Sequence, residues 1–140
     1  MERSQQSIGI AVGPSMRGRV PSLRPPRFIS PPEDVVLRLG DTGHLTCVYD
    51  GAPQPRIQWF VNGTEITHNT PKYAIVHDRM QRTVSLRVNN ITSNDSEGSY
   101  MCVLTNQAGQ SRASADIRLH ISRMFGYLVI VWLFVYFIKG

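Results

Sequence analysis

The chain has 140 residues, 41% of them hydrophobic and 18% charged, with two cysteines and a formal net charge of +5. That length holds one domain of about 100 residues with flanks and leaves no room for a second core. The positive excess is uneven: residues 32–123 carry nine Lys plus Arg against nine Asp plus Glu, so the body is neutral and no nucleic-acid partner is expected of it.

Residues 1–25 read as a flexible basic leader. Arg3, Arg17, Arg19 and Arg24, with Arg27 just beyond, face only Glu2. Gly, Pro and Ser dominate there, and such a segment buries too little apolar surface to offset the entropy of ordering it. Its apolar run from Ile8 to Val12 falls short of the 7 to 15 residues, roughly, that form the core of a secretory signal.

The body then alternates. Leu45, Cys47 and Tyr49 are separated by Thr46 and Val48, the period of two of a strand with one buried face. Gly51-Ala52-Pro53-Gln54-Pro55 is a run of turn formers. Ile57 and Trp59 face inward on the next strand, which sets Arg56, Gln58 and Phe60 outward. Asn62-Gly63 predicts a tight hairpin turn, because both residues tolerate positive φ. Val84, Leu86 and Val88 give another strand, Tyr100, Cys102 and Leu104 another, and Ile117, Leu119 and Ile121 the last.

Residues 123–140 are expected to form a membrane helix, since Met124 to Ile138 is uncharged and almost wholly apolar. At about 1.5 Å per residue this stretch covers roughly 22 Å of a hydrocarbon core of about 30 Å, a short span. Tyr127, Trp132 and Tyr136 suit the interfaces, and Lys139 can snorkel.

Four residues carry the family resemblance. Trp59 follows Cys47 by twelve positions, and Tyr100 precedes Cys102 by two. The 42 residues between Trp59 and Cys102 leave room for a short extra segment but are tight for the additional hairpin of variable domains. Together with Gly51-x-Pro53-x-Pro55-x-x-x-Trp59, Leu86-x-Val88 and Gly98-x-Tyr100-x-Cys102-x-Leu104-x-Asn106-x-x-Gly109, they make residues 26–122 similar to the I-set branch of the immunoglobulin superfamily. The resemblance implies an all-β, two-sheet sandwich with Greek-key connections. It further implies a disulfide between Cys47 and Cys102, Trp59 packed against it, Leu86 in the core, and a Tyr100 hydroxyl turned back onto the backbone at a corner. One position departs from the family pattern: Asp is usual two residues before the glycine that is here Gly98, whereas this chain has Ser96, with Asp95 one step earlier. A serine can still accept a hydrogen bond at that corner.

Catalytic chemistry finds no support. His44, His68, His77 and His120 are scattered, with no pair at ligand spacing and no Cys-x-x-Cys, so no metal site is expected. Asp95 and Glu97 read as a corner contact and a solvated charge, and Trp59 reads as core. No phosphate loop or nucleophile elbow is present, and no cofactor is called for.

Function is therefore expected to reside in surfaces. Arg56, Gln58 and Phe60 are candidate binding residues, an outward aromatic beside an arginine; Phe60 also suits packing under the hairpin turn. Three N-glycosylation acceptors begin at Asn62, Asn90 and Asn94, where chance alone gives roughly one. They favour export, which would oxidise the cysteines; the cytosol would hold them as thiols. Arg118 and Arg123 precede the apolar segment and only Lys139 follows it, which favours a cytosolic domain on a tail anchor. Two readings stand. The first is a single-pass, membrane-anchored cell-surface recognition or adhesion module whose partners are other proteins, including immunoglobulin-like domains of its own or another kind. The second is a cytoplasmic scaffold unit similar to those of muscle and actin-associated proteins, whose linkers Pro25-Pro26-Arg27-Phe28-Ile29 resembles.

Overall fold

The computed structural model describes residues 22–120 and 132–139, so most of the basic leader lies outside the described residues. The strands are β1 (Arg24–Ser30), β2 (Val35–Leu37), β3 (Gly43–Ala52), β4 (Arg56–Val61) and β5 (Thr64–Glu65). They continue as β6 (Tyr73–Asp78), β7 (Thr83–Val88), β8 (Tyr100–Asn106), β9 (Gly109–Ala115) and β10 (Ile117–Leu119), with one helical turn, α1 (Ser93–Ser96), before β8. The first sheet has the order β1-β3-β7-β6 and the second β5-β4-β8-β9. Strand β10 continues β9 after a break at Asp116 and pairs in parallel with β2. The described chain thus leaves the first sheet after β1 and pairs with β10 through β2.

Register explains the alternation. Leu45 stands opposite Leu86 and Cys47 opposite Val84 in the first sheet, and Trp59 stands opposite Cys102 in the second. These inner faces close on one core in which Leu45, Cys47, Tyr49, Trp59, Leu86, Cys102 and Leu104 are fully buried. Each fully buried Val or Leu contributes about 1.5–3 kcal/mol from its removal from water.

Two strands depart from the pattern-based expectation. Periodicity places the last strand at Ile117 to Ile121, but most of it is β9, whose inward positions are the small Ser111, Ala113 and Ala115. Ile117 and Leu119 belong to the short β10, and Ile121 lies outside the described residues. The proline-containing segment that resembles a linker is β1, an edge strand, where a missing N–H donor is tolerated. The opposite edge, β6, is covered by its own loop: the Thr70 N–H donates to the Tyr73 carbonyl at 2.8 Å, and Asn69 Oδ1 accepts from the Ile75 N–H at 3.0 Å. Such covering blunts an edge against pairing with another chain.

The Asn62-Gly63 turn joins β4 to β5 with φ of 53° and 82°, the backbone that a two-residue hairpin requires. Residues 132–139 are helical and exposed. Among the described residues no helix is long and apolar enough to cross a membrane; residues 121–131, where the expected span begins, lie outside the described residues.

Candidate functional site

Strands β3 and β8 aim Cys47 and Cys102 at each other across the two sheets. The sulfurs lie 3.7 Å apart as buried thiols, whereas a disulfide holds them at about 2.0 Å. The neighbouring Cys47 thiol, followed by burial, pushes the Cys102 pKa far up, so Cys102 stays protonated as long as the pair is reduced. Trp59 lies on β4 directly opposite Cys102 and is fully buried, as is Leu86.

The corner before β8 is built around Asp95. Its Oδ2 accepts from the Thr92 N–H at 2.7 Å, the Thr92 hydroxyl at 3.1 Å and the Lys72 ammonium at 2.7 Å. Its backbone carbonyl accepts the Tyr100 hydroxyl at 2.9 Å. Ser96 takes no part in this corner; its hydroxyl donates to the Ser93 carbonyl at 2.7 Å. The carboxylate missing from the usual position is therefore supplied one residue earlier. Burial opposes ionisation of Asp95, but the Lys72 ammonium and the Thr92 donors outweigh it and hold the carboxyl below its ordinary range.

Arg56, Gln58 and Phe60 share the outer face of the second sheet, opposite Thr105, Val103 and Met101 of β8. Arg56 is exposed, Gln58 and Phe60 are half-buried, and Val103, opposite Gln58 on β8, is only 4% exposed. Phe60 also pairs with Glu65 of β5, which places it beside the hairpin.

Asn62, Asn90 and Asn94 are all exposed, in the β4–β5 turn, the turn after β7 and α1 respectively. Asn62 ties two turns together: its N–H donates to the Ser99 carbonyl at 2.8 Å and its Oδ1 accepts from the Ser99 N–H at 2.9 Å. The Asn90 carbonyl accepts from Lys72 Nζ at 2.9 Å.

Of the four histidines, His77 has the most defined setting. The Tyr49 hydroxyl lies 2.6 Å from its Nε2 and accepts from Gln54 Nε2 at 2.8 Å. Burial, helped by the Arg79 charge, lowers the His77 pKa and favours the neutral ring. Among the described residues no group of His, Cys, Asp and Glu is placed to hold a metal ion.

The family model of the immunoglobulin I-set domain matches residues 26–119. The chain belongs to the immunoglobulin I-set family. Peroxidasin of Drosophila melanogaster is 36% identical to this I-set domain over 97 residues, 68% of the chain and 6% of that protein. Human hemicentin-1 is 30% identical over 97 residues, 69% of the chain and 2% of that protein. The muscle M-line assembly protein unc-89 of Caenorhabditis elegans is 27% identical over 112 residues, 80% of the chain and 1% of that protein. The chain thus spans only a few per cent of the length of these curated relatives. Among solved structures, a tandem immunoglobulin fragment of titin superposes with a TM-score of 0.65 at 31% identity, covering 72% of this chain and 50% of that one. An immunoglobulin complex of titin with obscurin-like 1 gives a TM-score of 0.63 at 26% identity, covering 69% and 95%.

The I-set pattern does not reveal a second cluster, around Asp50 at the end of β3. Arg24 lies 3.1 Å from its carboxylate, Arg27 3.6 Å, and Arg82 is hydrogen-bonded to it. Arg24 and Arg82 are 26 and 32 residues from Asp50 in sequence. Only the pairing of β1 with β3 and the fold of the β6–β7 turn bring them together, so the single available signal was the abundance of arginine itself.

Proposed function

We propose that this I-set domain is a non-catalytic protein–protein recognition module working outside the cytosol, held at a membrane by its apolar C-terminal segment. The observation that carries the proposal is the exposure of all three acceptor asparagines, Asn62, Asn90 and Asn94. Glycosylation machinery reads such triplets on the surfaces of exported chains. The facing sulfurs of Cys47 and Cys102 support it, because oxidation requires them to approach by less than about 2 Å. The helical residues 132–139, with Trp132, Phe134 and Phe137 exposed, support attachment to lipid. The titin complex with obscurin-like 1 pairs immunoglobulin domains, which supports another immunoglobulin-like domain as the partner, met in part through the face of Arg56, Gln58 and Phe60.

The similarity to a muscle M-line assembly protein supports a second reading, a cytoplasmic scaffold unit with reduced cysteines. One experiment separates the two. The full chain is expressed in secretory cells; its mobility is compared before and after removal of N-linked sugar, and its cysteines are alkylated with and without prior reduction. The proposal expects a mobility shift and cysteines that react only after reduction. No shift, with both thiols reactive at once in the unfolded chain, overturns it in favour of the scaffold. In the oxidised chain, Cys102→Ser is expected to cost about 2–5 kcal/mol in thermal or chemical unfolding.

A further inference from the structure

We propose that the end of the sandwich where β1 begins, β3 turns into β4 and the β6–β7 turn folds over is a binding site for a sulfated glycan chain. The near-neutral body hides a polarised surface. This end gathers Arg24, Arg27 and Arg82 around Asp50 alone, leaving two positive charges uncancelled. Arg56 and Arg79 add two more on the walls of an adjoining cleft of about 390 Å3. Both are exposed, and among the described residues neither has a carboxylate at ion-pair distance. Asp78, the other acid here, turns its Oδ1 to the N–H groups of Met80 and Gln81, each at 3.0 Å, and fixes the turn that carries Arg79.

The chemistry of the ligand follows from the kind and placement of these groups. All five cations are guanidinium groups, whose planar fork matches the oxygens of sulfate, phosphate or carboxylate. They stand on β1, β4 and the β6–β7 turn, three already drawn to the Asp50 carboxylate and two on the walls of the adjoining cleft, so they form a run of charge over one end of the domain and not a single closed anion site. A polymer with regularly repeated anions satisfies several at once and gains from the summed field. An acidic peptide has little main-chain pairing to add, since Pro25 and Pro26 lack donors on β1 and Asn69 and Thr70 cover β6. A single-stranded nucleic acid would want aromatic faces for its bases, but the ring of Tyr49, the aromatic residue behind the cleft, is fully buried. Gln54 and His77, linked through the Tyr49 hydroxyl buried behind them, instead give the cleft polar lining. That the domain meets such a glycan rests on the export proposed above; the affinity itself does not.

The test is binding of the full chain to a size-defined heparin oligosaccharide by calorimetry at about 0.15 M salt, where exposed charges act over about 8 Å. The double variant Arg56→Glu with Arg79→Glu is expected to bind roughly tenfold more weakly or worse while unfolding at the parental temperature. If it fails to fold, Arg56→Gln with Arg79→Gln replaces it. Arg17→Ser with Arg19→Ser in the leader is expected to leave binding intact, and chemically desulfated heparin is expected not to bind. Loss of binding confined to the leader variant overturns the proposal. So does equal binding of polyglutamate or single-stranded DNA of matched charge, or no binding at all. Heparin binding without a sugar-dependent mobility shift removes the export reading alone; a shift without heparin binding removes the glycan site alone.

Discussion

Asp95 and Asp50 both draw cations from distant parts of the chain, yet they do opposite work. Asp95 is buried and meets one ammonium and two donors from Thr92, and its own carbonyl takes the Tyr100 hydroxyl. Charge and hydrogen-bonding capacity balance there, and the result is a locked corner. Asp50 lies near the surface and meets three guanidinium groups, of which Arg27 is 68% exposed. It aligns them without cancelling them, and the result is a display of charge. A balanced cluster serves the fold, and an unbalanced one is available to a partner.

Of the two clusters, the balanced one should show the larger effect. Asp95→Ala removes a charged hydrogen bond to Lys72 and the contacts that hold Thr92 before α1, and should cost about 2 kcal/mol in urea unfolding. The same carboxyl sets an acid limit. Its folded pKa lies below the unfolded value, so its contribution is present above the unfolded pKa of about 3.9 and is lost as pH falls through the folded one. Acid unfolding of the parent should therefore steepen below about pH 4, and Asp95→Asn should flatten that limb. Tyr100→Phe keeps the ring in the core and deletes only the hydroxyl bond, so a loss of about 1 kcal/mol is expected. An effect of Tyr100→Phe as large as that of Asp95→Ala would show that the hydroxyl, not the carboxylate, holds the corner. The smallest change in stability should come from Asp50→Ala, with the melting temperature unmoved and the salt needed to elute the chain from heparin raised. A marked drop in melting temperature would make Asp50 a second structural corner and dissolve the contrast.

The elements legible in the sequence are those with unlike faces. Strands β3, β4, β7 and β8 alternate large apolar and polar residues because their inner faces meet the core and their outer faces meet water. Strand β9 carries no such signal, because its inward residues are the small Ser111, Ala113 and Ala115, with Ala113 opposite Cys102. Strand β1 is masked by its prolines, which read as a connector. At the corner, Tyr100 was legible from its distance to Cys102, and the position of the partner carboxylate was displaced by one residue. Lys72 had no pattern to betray it, since its contact with Asp95 spans 23 residues and depends on how β6 approaches α1. The arginines around Asp50 share that difficulty: a surface charge cluster needs no periodicity, only folded proximity.

The turn at Asn62 divides its side chain between two tasks. Carbonyl oxygen Oδ1 fastens the hairpin to Ser99, whereas N-linked sugar is joined through the amide nitrogen. A saccharide there can be carried without surrendering the tether. Replacing Asn62 to abolish the acceptor would loosen the turn as well, so Thr64→Ala, at an exposed position of β5, is the substitution that removes the carbohydrate and leaves the knot between the two turns tied.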